Sequence, residues 1–234
     1  MKNAAMVRIH KSKELLELWL RYYSRYFDTL IVFSCKYDGK DGEDFIELKE
    51  KYDFELIKIP DDIYTMDAHR KVFEKQKELL TTHEWVLYSD ADELVVADPE
   101  KYDGLRHFMD VCPHDQTFCV GYEVIQMPDE TRIDYDKPFL EQRKCWVKDK
   151  TKSYNKPLLA RTATDWGEGF HYIQGWTNEE IDKIKNTGLF LLHLKHIDIE
   201  TEFDYSKDGT GTKESIESLR ERARKMPDKI RKII

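Results

Sequence analysis

Short apolar runs alternate with amphipathic stretches from residue 4 to about residue 110, and this alternation limits the fold more than any other feature. AAMVRI (4–9), TLIVFS (29–34), FELIKI (54–59) and EWVLYS (84–89) are strand-sized and rich in apolar or β-branched residues. Between them, residues 12–27 carry Leu15, Leu16, Trp19, Leu20, Tyr23 and Phe27 at helical spacing. A short helix is expected near 43–51. Another is expected over 66–81, with Val72, Phe73, Leu79 and Leu80 facing inward. KYDGKDGED (36–44) sets two glycines among acids and reads as a loop. Asp98-Pro99 suits the first turn of a further helix. The expected fold class is α/β, a mostly parallel sheet flanked by helices on both faces. Ligands of such sheets bind beyond the carboxyl ends of the strands.

The second half has a different texture. FCVGYEVIQM (118–127), FLEQRKCWV (139–147) and KPLLAR (156–161) read as strands of a small antiparallel part. An irregular stretch, TATDWGEGFHYIQGWTNEE, separates them from the apolar strand GLFLLHLKHID (188–198). The tail from Thr212 is helical, with Ile216, Leu219, Ala223 and Met226 on one narrow face. No repeat or linker interrupts the 234 residues, so one domain is expected. Its parts would be a ligand-binding half over 1–110, a second half over 111–205 and a helical tail over 206–234.

Composition narrows the function classes. The net charge of −8 disfavours general nucleic-acid binding, which rests on cationic contacts to phosphate. A nucleotide diphosphate can still be held where a divalent metal neutralises it locally. No apolar run reaches the roughly 20 residues needed to cross a bilayer. The amino end, MKNAAMVRIHKSKE, has no apolar signal core, so a cytoplasmic protein is expected. Cys35, Cys112, Cys119 and Cys145 form no C-x-x-C pair and read as reduced, mostly buried thiols.

The chemistry concentrates at WVLYSDADELVV. A strand running into Asp90-Ala91-Asp92 fixes two carboxylates on a rigid edge, where both can face one ligand. Hard oxygen donors suit Mg2+ or Mn2+, which keep positions open for diphosphate oxygens and water. The bland alternative is an acidic loop after a strand.

With these elements in order, the chain resembles the family 2-like glycosyltransferases of the GT-A group. The resemblance is carried by Arg8 and His10 followed by LLELWLRYYSRYFDTLIVFS, and by HRKVFEKQKELLTTHEWVLYSDADELVV. SYNKPLLAR, WGEGFHY and LLHLKHID match the group's later segments more loosely. The group's P-x-Y/N start is missing, and KYDGKDG stands where D-D-x-S-x-D is frequent.

The resemblance implies a transferase that moves a sugar from a nucleoside diphosphate-sugar, a UDP- or GDP-sugar, to a hydroxyl of a glycan or lipid-linked glycan. Mn2+ or Mg2+ would be held mainly by Asp92, with Asp90 touching the donor or the metal and His193 completing the site. Arg8, His10 and Asp38 would hold the nucleoside. On the helix before the acid motif, Arg70 rather than Gln76 would face the diphosphate, because a guanidinium pairs well with phosphate oxygens.

Several residues keep two readings. In a strand, His193 and His196 point to opposite faces, so only one can join the metal. His171 would sit at the rim, while His69, His83, His107 and His114 would be surface groups. A base is needed to take the acceptor's proton; Glu168 is the first choice and Asp165 the second, and either could instead be a turn acid. Trp166, Phe170 and Tyr172 are a sugar platform or loop anchors. Residues 213–232 hold eight Lys/Arg against four Asp/Glu. That helix either packs by its apolar stripe or makes a weak contact with an anionic membrane surface. The alternatives to a glycosyltransferase are a nucleotidyltransferase on a similar sheet and a non-catalytic nucleotide- or carbohydrate-binding module. The first wants a glycine-rich phosphate loop after the first strand, where this chain has RIHKSKE.

Overall fold

The computed structural model describes residues 2–10, 13–35, 41–59, 66–143, 145–149, 154–185, 187–198 and 216–225. Its first half is the expected alternation: β1 (Lys2–Ile9), α1 (Lys13–Tyr23), β2 (Thr29–Cys35), α2 (Asp41–Lys51), β3 (Glu55–Ile59), α3 (Met66–Leu79) and β4 (His83–Asp90). β1 to β4 lie in the order β3-β2-β1-β4 and pair in parallel. β1 is central, and every residue from Asn3 to Ile9 is buried. That explains its unbroken apolar run, since a strand covered on both faces has no reason to alternate. β2 and β3 grow to one side of β1 and β4 to the other. The chain therefore reverses direction of growth between β1 and β4, the kind of junction where open α/β sheets bind ligands.

β4 leaves this sheet through a two-residue turn, Ala91-Asp92, and continues as β5 (Glu93–Ala97) in a second sheet. That sheet also contains β6 (Cys119–Ile125), β7 (Cys145–Lys148) and β9 (Leu189–His196), ordered β5-β9-β6-β7. It is mixed and not wholly antiparallel, because β6 and β9 run parallel. The small β8 (Leu159–Ala160) extends the first sheet antiparallel to β4.

Helix α1 ties the two sheets together. Trp19 Nε1 donates to Ser89 Oγ in β4 at 2.8 Å. At β5, the Tyr23 hydroxyl accepts from the Val95 amide at 2.8 Å, and the Tyr22 hydroxyl donates to the Val95 carbonyl at 2.8 Å. The two tyrosines thus satisfy backbone groups that an edge strand would otherwise leave open.

Four expectations need correction. Asp98-Pro99 does not start a helix: the Asp98 carbonyl accepts from Lys101 and Tyr102 in a tight turn, and α4 (Leu105–Val111) begins after Gly104. Residues 139–147 are not one strand but a short helix, α5 (Phe139–Gln142), followed by β7. The irregular stretch ends in the first turn of α6 (Asn178–Ile184), opened by a capping box between Thr177 and Glu180. On α3 the inward row is Ala68, Val72, Gln76 and Leu79, while Phe73 and Leu80 are half-buried.

The final described helix, α7 (Ile216–Arg224), lays Leu219 and Ala223 on Ile125 and Val147 of the second sheet. Arg220 is buried and donates to the Gln126 carbonyl at 3.1 Å. Of the expected stripe, Leu219 and Ala223 are packed, while the Ile216 side chain and Met226 lie outside the described residues. No described helix is long and apolar enough to cross a membrane. All four cysteines are free thiols, three of them buried.

Candidate functional site

The carboxyl ends of β1 and β4 put Arg8 and Asp90 side by side in the parallel register. Arg8 is buried, and its Nε donates to the Tyr88 hydroxyl at 2.6 Å. That hydroxyl donates in turn to Asp90 Oδ1 at 2.8 Å. The other carboxylate oxygen of Asp90 accepts from Lys156 Nζ at 3.2 Å, and the same ammonium reaches Glu93 Oε1 at 2.6 Å. Burial alone would raise the Asp90 pKa, but Lys156 and Arg8 outweigh it and hold the carboxyl below its ordinary range. Glu93 is the more deeply buried acid, and desolvation pushes it up to about 7 despite Lys156. Lys156 moves upward, its own burial being overcome by Glu93 and Asp90.

The second cluster lies around Asp92. His193 comes from β9, directly between Glu93 of β5 and Glu123 of β6 in the cross-strand register. Its Nε2 stands 3.2 Å from Asp92 Oδ2 and its Nδ1 2.9 Å from Glu123 Oε2. The Tyr154 ring stacks on the imidazole, with centroids 4.0 Å apart and planes at 19°. Burial would lower the His193 pKa, but the flanking carboxylates of Glu123 and Asp92 raise it to about 10.

Of the expected metal ligands, Asp92 and His193 meet, and His196 lies only half-buried beyond them. Asp90 turns towards Arg8, Tyr88 and Lys156. Among the described residues, no three His, Cys, Asp or Glu side chains form a metal-holding group. Asp92 and His193 nevertheless fit part of a divalent-cation site. A carboxylate and an imidazole nitrogen face each other, and the outer ring nitrogen is held by a second carboxylate.

His10 Nδ1 lies 3.1 Å from the Cys35 carbonyl, at the adjoining ends of β1 and β2. Asp38 lies outside the described residues. Arg70 is exposed on α3 and paired with Asp67 of its own helix at 3.1 Å. Gln76 is buried, and its Oε1 accepts from the Thr164 amide at 2.8 Å.

Glu168 opens a short turn, Glu168–Phe170, and its side chain lies outside the described set. Asp165 is exposed. Trp166 and Phe170 are buried anchors and not platforms: Trp166 Nε1 donates to the Pro157 carbonyl, and Phe170 stacks on Tyr88 at 3.8 Å and covers the Arg8 guanidinium at 4.7 Å. Phe170 takes a left-handed φ of 63°, directly after Gly169 at 64°. A non-glycine residue there is held by its surroundings. His69 is no simple surface group, since its ring lies 4.7 Å from Phe170. Of the aromatic trio only Tyr172 presents a face, at 48% exposure, and His171 beside it is exposed.

Sequence reasoning missed Glu93, Glu123, Tyr154 and Lys156. Glu123 had a signal, a single acid inside the apolar strand FCVGYEVIQM. A carboxylate at a buried strand position requires a partner.

No protein-family model and no curated protein matches the sequence. Among solved structures, the chain is similar to S. aureus TarS 1-349, at 14% identity and a TM-score of 0.37 over 70% of this chain and 48% of that one. The same protein in complex with UDP-GlcNAc aligns at 13% identity and a TM-score of 0.37, over 70% of this chain and 46% of that one. A 4-diphosphocytidyl-2C-methyl-D-erythritol synthase aligns at 14% identity and a TM-score of 0.34, over 68% of this chain and 75% of that one. The chain spans about half the length of the TarS structures, and likenesses of this strength place it in no family.

Proposed function

We propose that this chain is a glycosyltransferase with a GT-A type of sheet. It would move a sugar from a nucleoside diphosphate donor, UDP- or GDP-linked, to a hydroxyl of a glycan or lipid-linked glycan. The observation that carries this reading is the meeting of Asp92 and His193 beside Asp90, at the carboxyl end of the strand flanking the β1/β4 junction. Mn2+ or Mg2+ at Asp92 and His193 would supply positive charge to the departing diphosphate.

The chain's own residues do the rest. Asp90, kept ionised by Lys156 and Arg8, is a fixed acceptor for a donor hydroxyl. Arg8 and His10 border the nucleoside side of the junction. Glu168 is the first candidate for the base that takes the acceptor's proton, because its turn leads into the Phe170 cap over Arg8; Asp165 is the second. Tyr172 offers the exposed ring against which an acceptor sugar can lie.

The test is thermal unfolding with UDP, GDP and their sugars, each with Mn2+ and again with EDTA. A ligand at about 100 times its Kd stabilises the folded state by about 2.7 kcal/mol, a rise of about 5–10 °C for a chain of this size. Wild type should show this rise with one nucleotide class and only with metal, and Asp92→Asn should lose it. Absence of any shift with Mn2+ present, or an unchanged Asp92→Asn variant, overturns the proposal.

A further inference from the structure

His193 is constrained on both edges and one face of its ring. Asp92 takes one edge and Glu123 the other, while Tyr154 lies flat against the ring. Two in-plane partners and a stacked ring remove the two torsions that an imidazole possesses. The partners come from rigid parts of the fold. Glu123 stands opposite His193 in the parallel β6/β9 register, so the sheet itself delivers the acceptor. Gly121, two residues earlier on the same face, lets the Tyr154 segment cross β6 closely. A Cβ at 121 would come within 2.5 Å of Tyr154 Cβ and 2.6 Å of its carbonyl carbon. Asn155 Oδ1 then accepts from the Gly121 amide at 2.8 Å and locks the crossing. The Glu123 carboxylate also lies near enough to the Tyr154 hydroxyl to add to burial in raising its pKa.

We infer that Glu123 is a positioning residue for divalent-cation binding. It engages Nδ1 of His193 and so directs Nε2, which a cation would take in place of its proton, at the point shared with Asp92; Tyr154 holds the ring in that pose. This rests on the proposed metal-dependent function. Without Glu123 the imidazole is free to turn or change tautomer, and the cation loses its nitrogen ligand. Outer-shell partners of this kind typically change metal affinity about 10–100-fold.

The experiment is Mn2+ titration of the whole chain by electron paramagnetic resonance, with Mn2+ alone and with UDP or GDP added. Spin-echo modulation on the saturated sample then reads nitrogen coupling to the ion. Wild type should show coupling that His193→Gln abolishes. Glu123→Gln should weaken Mn2+ binding about 10–100-fold and reduce the coupling at saturation. Tyr154→Leu removes the ring stacked on His193 and should weaken binding at least about threefold; Glu123→Asp, which draws the carboxylate back from Nδ1, decides the matter if Glu123→Gln does not fold. Mn2+ affinity within about twofold of wild type in the folded variants overturns the positioning role and leaves the metal intact. Weakened binding with full nitrogen coupling also overturns it, because Glu123 would then act by charge alone. A wild type that takes up no Mn2+ under any of these conditions overturns both readings.

Discussion

Lys156 is the residue on which the charge balance of the acid turn depends. Its ammonium is enclosed between Asp90 and Glu93, and Glu93 is almost wholly buried. Removing one partner of a buried pair costs about 3–5 kcal/mol, because the other charge is left uncompensated. Lys156→Met should therefore lower the melting temperature by about 6–20 °C. The double variant Lys156→Met/Glu93→Gln should recover part of that loss, which thermal unfolding would measure.

His193 couples the stability of the fold to pH. In EDTA the folded chain keeps its imidazolium up to about pH 10, whereas an unfolded histidine releases its proton near 6.5. Between those values the folded state binds more protons, so stability falls as pH rises. The contribution is complete below about pH 6.5 and gone above about pH 10. Melting temperatures measured across that window should decline in wild type and decline less in His193→Gln.

That Asp92 and His193 meet was expected through the family resemblance; by itself the strand-end acid stands out, whereas a lone histidine in an apolar strand reads first as a core group. Lys156, Glu123 and Tyr154 were not legible, because their roles arise only when distant strands align.

Among the elements, the alternation from β1 to β4 was read correctly because each strand is a short apolar run and each helix has one apolar face. β5 was absorbed into the acid motif, since five residues after a two-residue turn carry little periodicity of their own. The segment 139–147 misled because Pro138 and Phe139 begin a single helical turn, too short to show a helical period. α6 is recognisable from Thr177 and Glu180, a capping box three residues apart. Gly121 carries the prediction here. Gly121→Ala would push a methyl into the Tyr154 backbone, which cannot yield as a flexible side chain can. Overpacking of this kind costs about 1–3 kcal/mol. The variant should melt lower and should also bind Mn2+ more weakly, because Tyr154 is displaced from His193. A variant that melts lower with unchanged Mn2+ affinity would separate the crossing from the site.

Across the whole molecule, the site belongs to neither sheet alone. Arg8 and Asp90 come from the first sheet, His193 and Glu123 from the second. Binding at this place should consequently slow amide exchange at the carboxyl ends of β1 and β4 and also along β9 and β6. Hydrogen-exchange mass spectrometry with and without Mn2+ and the binding nucleotide checks this. Protection confined to the first sheet would contradict a shared site. The α/β alternation made the first sheet predictable, but the second is mixed and joins strands from widely separated parts of the chain. No local pattern reports such pairings.

The two-residue turn at Ala91-Asp92 is also the covalent seam between the sheets, and the acids on either side of it are tied in by Lys156. Architecture alone would thus preserve Asp90 and Glu93 in a descendant that had lost the proposed metal site. Such a descendant would still spell most of the motif, and its silence would register at the middle acid, Asp92, and at the histidine facing it.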